Sequence, residues 1–145
     1  MINRFINKNI LFATATGLLL IFFIGCKKQN TPTVVNTTLP TGITLAMGTI
    51  TSNAHTSIGL VTITKATNGK IFLNFENFKT DNGPDLRIYL SPNLNALPYI
   101  EVGNLIAING NFTYELPVDI NYTTNNKMLI WCKDFSVLFG HAILQ

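Results

Sequence analysis

From Leu60 onward the chain alternates apolar and polar side chains in short runs. "LVTIT" sets Val61 and Ile63 against Thr62 and Thr64, and "KIFLNFENF" sets Ile71, Leu73 and Phe75 against Phe72, Asn74 and Glu76. "DLRIYLS" sets Leu86, Ile88 and Leu90 against Arg87 and Tyr89, and "NFTYELP" sets Phe112, Tyr114 and Leu116 against Thr113 and Glu115. A period of two over short segments is the pattern of strands with one buried face. Turn signals separate the runs: "TNG" at Thr67 to Gly69, "DNGP" at Asp81 to Pro84, and "NG" at Asn109 and Gly110. Seven to nine short strands at this spacing predict an all-β fold, a single antiparallel sandwich or barrel-like domain.

The closing segment has a different pattern. "KMLIWC" and "FSVLFGHAIL" are apolar at nearly every position, as expected of strands covered on both sides. Alternation within "MLIWC" puts Met128, Ile130 and Cys132 on one face and Leu129 and Trp131 on the other. Cys132 is therefore expected among packed apolar side chains, or in a pocket cut from them.

The N-terminal residues do not follow the strand pattern. Arg4 and Lys8 lie in a polar start, followed by fifteen apolar-rich residues from Ile10 to Ile24. That run falls short of the roughly 20 residues of a spanning helix and suits the core of a secretory signal. It ends in "FIGC", Phe23 to Cys26, which resembles the bacterial lipobox, with a small residue before a cysteine that takes a lipid. This predicts a signal peptide over 1–25, a lipidated Cys26, and a membrane partner reached through the lipid. An uncleaved anchor and an ordinary cleaved signal are the alternatives. Residues 27–41, rich in Thr, Asn and Pro, read as a flexible tether that spans roughly 50 Å when extended. Residues 42–145 then form one domain, long enough for one core. The expected location is the bacterial cell envelope, on a membrane facing the periplasm or the cell surface.

Processing also changes the charge. Removing Arg4 and Lys8 from ten basic residues leaves eight against seven acidic ones, a balance of +1. That gives no electrostatic case for nucleic acid. With Cys26 lipidated, Cys132 is the only thiol left, so the domain has no internal disulfide. No G-x-S-x-G elbow, HExxH or phosphate loop occurs, which argues against hydrolase chemistry.

Four stretches together look familiar: "HTSIGLVTI" (His55 to Ile63), "NFENFKTDNGPDLRIYLS" (Asn74 to Ser91), "YELP" (Tyr114 to Pro117) and "LIWCKDFSVLFGHAIL" (Leu129 to Leu144). In this order they resemble the DM-thirteen (DM13) domain family, a small β-rich extracellular module of bacterial secreted proteins and lipoproteins. The resemblance implies a redox or electron-transfer role centred on the cysteine of the Trp-Cys pair, here Cys132. In animals the module accompanies DOMON domains. None is present here, so the resemblance implies a redox partner in another chain.

Each candidate residue has a functional and a structural reading. Cys132 can be a redox thiol, passing through sulfenic acid or a mixed disulfide, or a small buried hydrophobe in a binding or structural module. Solvent access separates these readings, and the redox one predicts a shielded thiol under a small opening. Trp131 can relay electrons or stack on a ligand, though a large core plug is the expected role. His55 and His141, with Met47 or Met128 and Cys132, supply copper-ligand types. The spacing of Cys132 and His141 lacks the tight copper loop, and haem lacks a CxxCH sequence, so neither cofactor is required. Asp81 and Asp85 could hold Ca²⁺. A turn is the expected role instead, with Asn82 and Gly83 bending the chain, Pro84 stiffening it and Asp85 bonding turn amides. No metal is expected.

Overall fold

The computed structural model describes residues 34–145. The expected signal peptide, Cys26 and the expected tether up to residue 33 lie outside the described residues. Ten strands follow in order: β1 (Val35–Asn36), β2 (Gly42–Thr49), β3 (Thr51–Ser52), β4 (Ser57–Ala66), β5 (Ile71–Thr80), β6 (Leu86–Ser91), β7 (Ile100–Asn104), β8 (Asn109–Leu116), β9 (Lys127–Cys132) and β10 (Val137–Ile143). They form two five-stranded sheets, ordered β1-β8-β5-β4-β2 and β3-β10-β9-β6-β7, packed as a sandwich. Every pairing is antiparallel except β1 with β8. No helix among the described residues is long and apolar enough to cross a membrane.

The alternating residues meet between the sheets. Val61, Ile63, Leu73 and Phe75 from the first sheet face Ile88, Leu90, Met128 and Ile130 from the second, all fully buried. Phe75 stacks on Phe112 at 4.8 Å and meets Phe78 edge-on at 5.4 Å. Burying each such side chain stabilises the fold by about 1.5–3 kcal/mol, which makes this layer the main source of cohesion.

Phe78 reaches the core because β5 carries a bulge. The register slips between Phe75 and Phe78, and Asn77 between them adopts φ +48°. The Asn77 backbone N–H donates to Asn111 Oδ1 at 2.7 Å. Asparagine tolerates the left-handed region better than most residues, so the extra residue is absorbed there and alternation restarts with Phe78 inward.

The turn signals have mixed outcomes. Thr67–Gly69 makes the β4–β5 hairpin turn, with Gly69 at φ +83°. Asp81–Pro84 carries the chain from the first sheet to the second. Gly83 is needed there for space: a Cβ would come within 2.8 Å of Leu86 Cδ2 and 2.9 Å of Phe139 Cζ. Asn109–Gly110 is not a turn. It opens β8, where a Cβ on Gly110 would run into the Val35 carbonyl, and the bend is made by the buried Leu105 and Ala107 before it.

The tether expected over 26–41 ends inside the sandwich. Val35 and Asn36 pair with Gly110 and Asn111 at one edge of the first sheet, whereas β2 lies at the other edge. Four strand spacings of about 4.8 Å separate the edges, roughly 19 Å. Six residue steps from Asn36 to Gly42 cover about 20 Å at full extension, so the segment crosses as a taut strap. It passes over the outward face, where Leu39, Pro40 and Thr41 share a cleft with Thr62, Thr64 and Asn74. This explains why the polar residues of "LVTIT" are buried. Beneath the strap, Asn74 Nδ2 donates to Thr62 Oγ1 and Thr64 Oγ1, and Thr113 Oγ1 donates to Asn74 Oδ1.

The C-terminus closes one side of the sandwich. Met47 and Gln145 exchange two backbone hydrogen bonds of 2.9 and 3.0 Å, tying β2 to the chain after β10.

Candidate functional site

β9 is the middle strand of the second sheet, paired with β6 on one side and β10 on the other. Its side chains therefore leave toward two covered faces. Met128, Ile130 and Cys132 enter the main core, while Leu129 and Trp131 join a smaller cluster with Tyr89, Leu94, Ala96 and Leu138 on the outer face. The division expected from alternation holds at every one of these positions.

Cys132 is 1% exposed, and its thiol has no hydrogen-bond partner among the described residues. It pairs with Leu86 on β6 and Val137 on β10, and no cleft described here reaches it. Cys132, Leu86 and Val137 all stand at the ends of their strands, yet the expected opening is absent because core side chains fill the space in front of the sulfur. Sulfenic acid formation and mixed-disulfide exchange both require another molecule to meet the sulfur, which this packing prevents while the fold is closed.

Trp131 differs from its expected role. It is not the plug of the main core but is half-buried on the outer face, where it lines a cleft of about 400 Å³. Tyr89, Asn95, Ala96, Leu97, Tyr99, Lys133 and Ser136 complete the lining. Tyr89 lies centrally: its ring stacks on Tyr99 at 4.1 Å and 17°, and it lies 6.4 Å from Trp131 with planes 29° apart. Three aromatic faces are thus held nearly parallel. Burial, and then the nearby Glu101 charge, raise the Tyr89 phenol above its usual range, so it stays protonated at physiological pH.

The loop carrying Tyr99 is firmly tied. Ser91 Oγ donates to the Pro98 carbonyl at 2.8 Å, Asn93 Nδ2 donates to the Leu97 carbonyl at 2.6 Å, and the Leu97–Pro98 peptide is cis. Ala96 and Ser136, on opposite walls of the cleft, both adopt φ +53°. Such left-handed non-glycine residues cost about 1–3 kcal/mol each and persist only where their surroundings hold them.

A charged chain borders the cleft. Arg87 grips Asp85 through Nε and Nη2, at 2.5 and 3.2 Å, and donates from Nη1 to Glu101 at 2.7 Å. Glu101 in turn lies 3.5 Å from Lys133 Nζ. The hydrogen bonds to Asp85 raise the Arg87 pKa most strongly, so the guanidinium is a fixed cation. The role expected for Asp85 is therefore corrected: its carboxylate pairs with Arg87 rather than bonding turn amides, because the fork of Arg87, two residues on, outcompetes weaker backbone donors. Asn82 caps its own turn through Gly83 N–H, and Asp81 Oδ2 accepts from Thr56 N–H at 3.1 Å.

The histidines are not drawn to Cys132. His55 stacks on Phe139 at 3.8 Å, and its Nδ1 is 3.5 Å from Asp81 Oδ2. His141 lies inside β10, opposite Leu129, and so on the sheet face away from Cys132. Its Nδ1 is 2.6 Å from Asn53 Oδ1, and burial lowers its pKa. The copper set does not assemble, since Met128 is in the core and Met47 is exposed on β2. Among the described residues, no three His, Cys, Asp or Glu side chains converge on one point.

Sequence reasoning passed over Tyr89, Tyr99, Lys133 and Arg87 as site residues. The alternation of "DLRIYLS" already placed Arg87 and Tyr89 outward together. Lys133, two residues after Trp131, shares the outward face of β9 by the same rule.

In comparisons with known proteins, a family model described as electron transfer DM13 matches residues 49–144, from the end of β2 through β10. No curated protein and no solved structure matches the chain.

Proposed function

Because the chain belongs to the electron-transfer DM13 family, we propose that it exchanges electrons with a partner at the bacterial cell envelope through the Trp131–Tyr89–Tyr99 cleft. Lipid on Cys26 holds it at a membrane. One observation carries the choice of face: the oxidisable rings of Tyr99 and Trp131 open to the surface and lie within 29° of the plane of the buried Tyr89, on the sheet whose middle strand also carries Cys132. In this reading the redox partner meets the rings. Cys132 follows Trp131 in β9 on the opposite face of the sheet, closed to reagents.

A second reading, a non-enzymatic binding or structural module, is favoured by the 1% exposure of Cys132 and its place among Ile88, Met128 and Ile130. There the thiol only fills volume.

Voltammetry of the purified full chain separates these. A reversible current lost in Trp131→Phe and kept in Cys132→Ser supports the cleft. A current lost only in Cys132→Ser moves the centre to the thiol. A silent wild type leaves the binding module. The anchor is tested by mass spectrometry: the mature chain should begin at a lipid-bearing Cys26, and Cys26→Ala should release it from membranes.

A further inference from the structure

We propose that the cleft bounded by Trp131, Tyr99 and Lys133 is a binding site for a quinone, whose ring lies against the aromatic faces while its carbonyl oxygens meet donors on the cleft wall. The proposal rests on the electron-transfer reading and names the chemical class of the carrier.

Size comes first. About 400 Å³ lies within the range of small-molecule sites and suits one flat molecule of one or two rings. Shape comes second. Tyr99 and Trp131, the two rings that reach solvent, lie 17° and 29° from the plane of the buried Tyr89, so a planar guest can stack on either without bending it. The walls are set in advance by the tied loop through Pro98 and by the left-handed Ala96 and Ser136, which reduces the ordering cost of binding.

Polarity narrows the choice. The polar lining side chains besides the tyrosines and the Trp131 indole are Lys133, Asn95 and Ser136, each with hydrogen to donate. Neither the Asn95 amide nor the Ser136 hydroxyl makes a side-chain hydrogen bond to another described residue, so both are free to bond a guest. No carboxylate lines the cleft; Glu101 approaches Lys133 from outside and is already bonded to Arg87. A guest with an apolar ring and acceptor oxygens at its edges matches this arrangement. A polyol would leave hydroxyl donors without acceptors, and a nucleotide would bring phosphates to a single lysine. A one-electron-reduced quinone is an anion, and Lys133 offers it a counter-charge.

Trp131 is the chain's one tryptophan, so its fluorescence reports the site directly. Menadione titrated into the purified full chain should quench it saturably with unchanged excited-state lifetime. Naphthalene, equal in ring size but without carbonyls, should bind about tenfold more weakly. Tyr99→Ala, at a side chain 40% exposed and so tolerant of replacement, should weaken menadione binding about fivefold. Lys133→Met should weaken menadione and leave naphthalene unchanged. Quenching that stays linear to the solubility limit, naphthalene binding as tightly as menadione, or a midpoint unmoved in both variants overturns the proposal. Voltammetry reports separately on the reading beneath it. A wild-type current without saturable menadione binding removes the quinone and keeps electron transfer. Saturable binding with no current keeps the quinone site and removes electron exchange by the chain itself.

Discussion

The indole of Trp131 and the phenol of Tyr89 lie 6.4 Å apart with ring planes 29° from parallel, on adjacent strands of the second sheet. Arg87, not Tyr89, is the ladder partner of Trp131; Tyr89 pairs with Leu129. The two rings are therefore diagonal neighbours, a separation that large side chains bridge across a sheet. The diagonal opens a gap beside Trp131, and Lys133 and Ser136 close its far side. A direct pairing of the two rings would have filled that space.

Burial of Cys132 predicts a silent thiol. A chromogenic disulfide reagent should count no Cys132 thiol in the native domain and one in denaturant. Cys132→Ser should destabilise by about 1–3 kcal/mol, because the new hydroxyl enters a site with no hydrogen-bond partner. Rapid native labelling at Cys132 would show that the β9–β10 hairpin opens.

Arg87 is predicted to hold the rim of the cleft together. Arg87→Met should destabilise the domain by about 1–2 kcal/mol, more than a lone surface pair would, since it strands two partly buried carboxylates. Arg87→Lys should recover less than half of that, having no fork for Asp85. Chemical denaturation of the three proteins checks the order.

His141 should introduce acid sensitivity. Burial lowers its pKa below the unfolded value of about 6.5, so the unfolded chain takes up the proton first as pH falls. The stability held by neutral His141 is complete above that pH and is lost as pH falls through the folded pKa. His141→Gln should flatten this part of the stability–pH curve. An unchanged slope would mean that another group titrates there.

The strap is predicted to guard a sheet edge. A chain beginning at Gly42 should still fold, because the Asn74–Thr62–Thr64–Thr113 bonds need no help from residues 34–41. It should melt a few degrees lower and self-associate, since β8 loses its partner and bares an unpaired edge. Sedimentation velocity of the shortened and full chains makes the comparison.

Legibility from sequence divides along physical lines. The inward and outward faces of β4, β5, β6, β8 and β9 follow from period-two alternation, because one face of each strand meets the core and a slip of one residue would reverse it. The bulge at Asn77 breaks that period with no glycine to mark it, and was invisible for that reason. β1 is two residues long and pairs with a strand about 75 residues away, so no local pattern announces it. Thr62 and Thr64 looked solvent-facing because the strap that covers them comes from a segment whose composition matches a flexible linker. Trp131 was expected in the main core on size alone, yet its outward position was already stated by the alternation that placed Cys132 inward. The cleft itself depends on Tyr99, brought back by the loop between β6 and β7, and no spacing in the chain encodes that approach.

The strap also determines how the domain bears load. A pull applied from the N-terminal side of Val34 meets β1 first, and β1 lies alongside β8 at the sheet's margin. Two residues of pairing give way well before the eight registered pairs of the β4–β5 ladder that holds the first sheet together. Once they part, the freed strap pays out as slack and the force drops before reaching Phe75 or Cys132. The margin of the sheet thus works as a mechanical fuse, yielding early so that the sandwich does not tear.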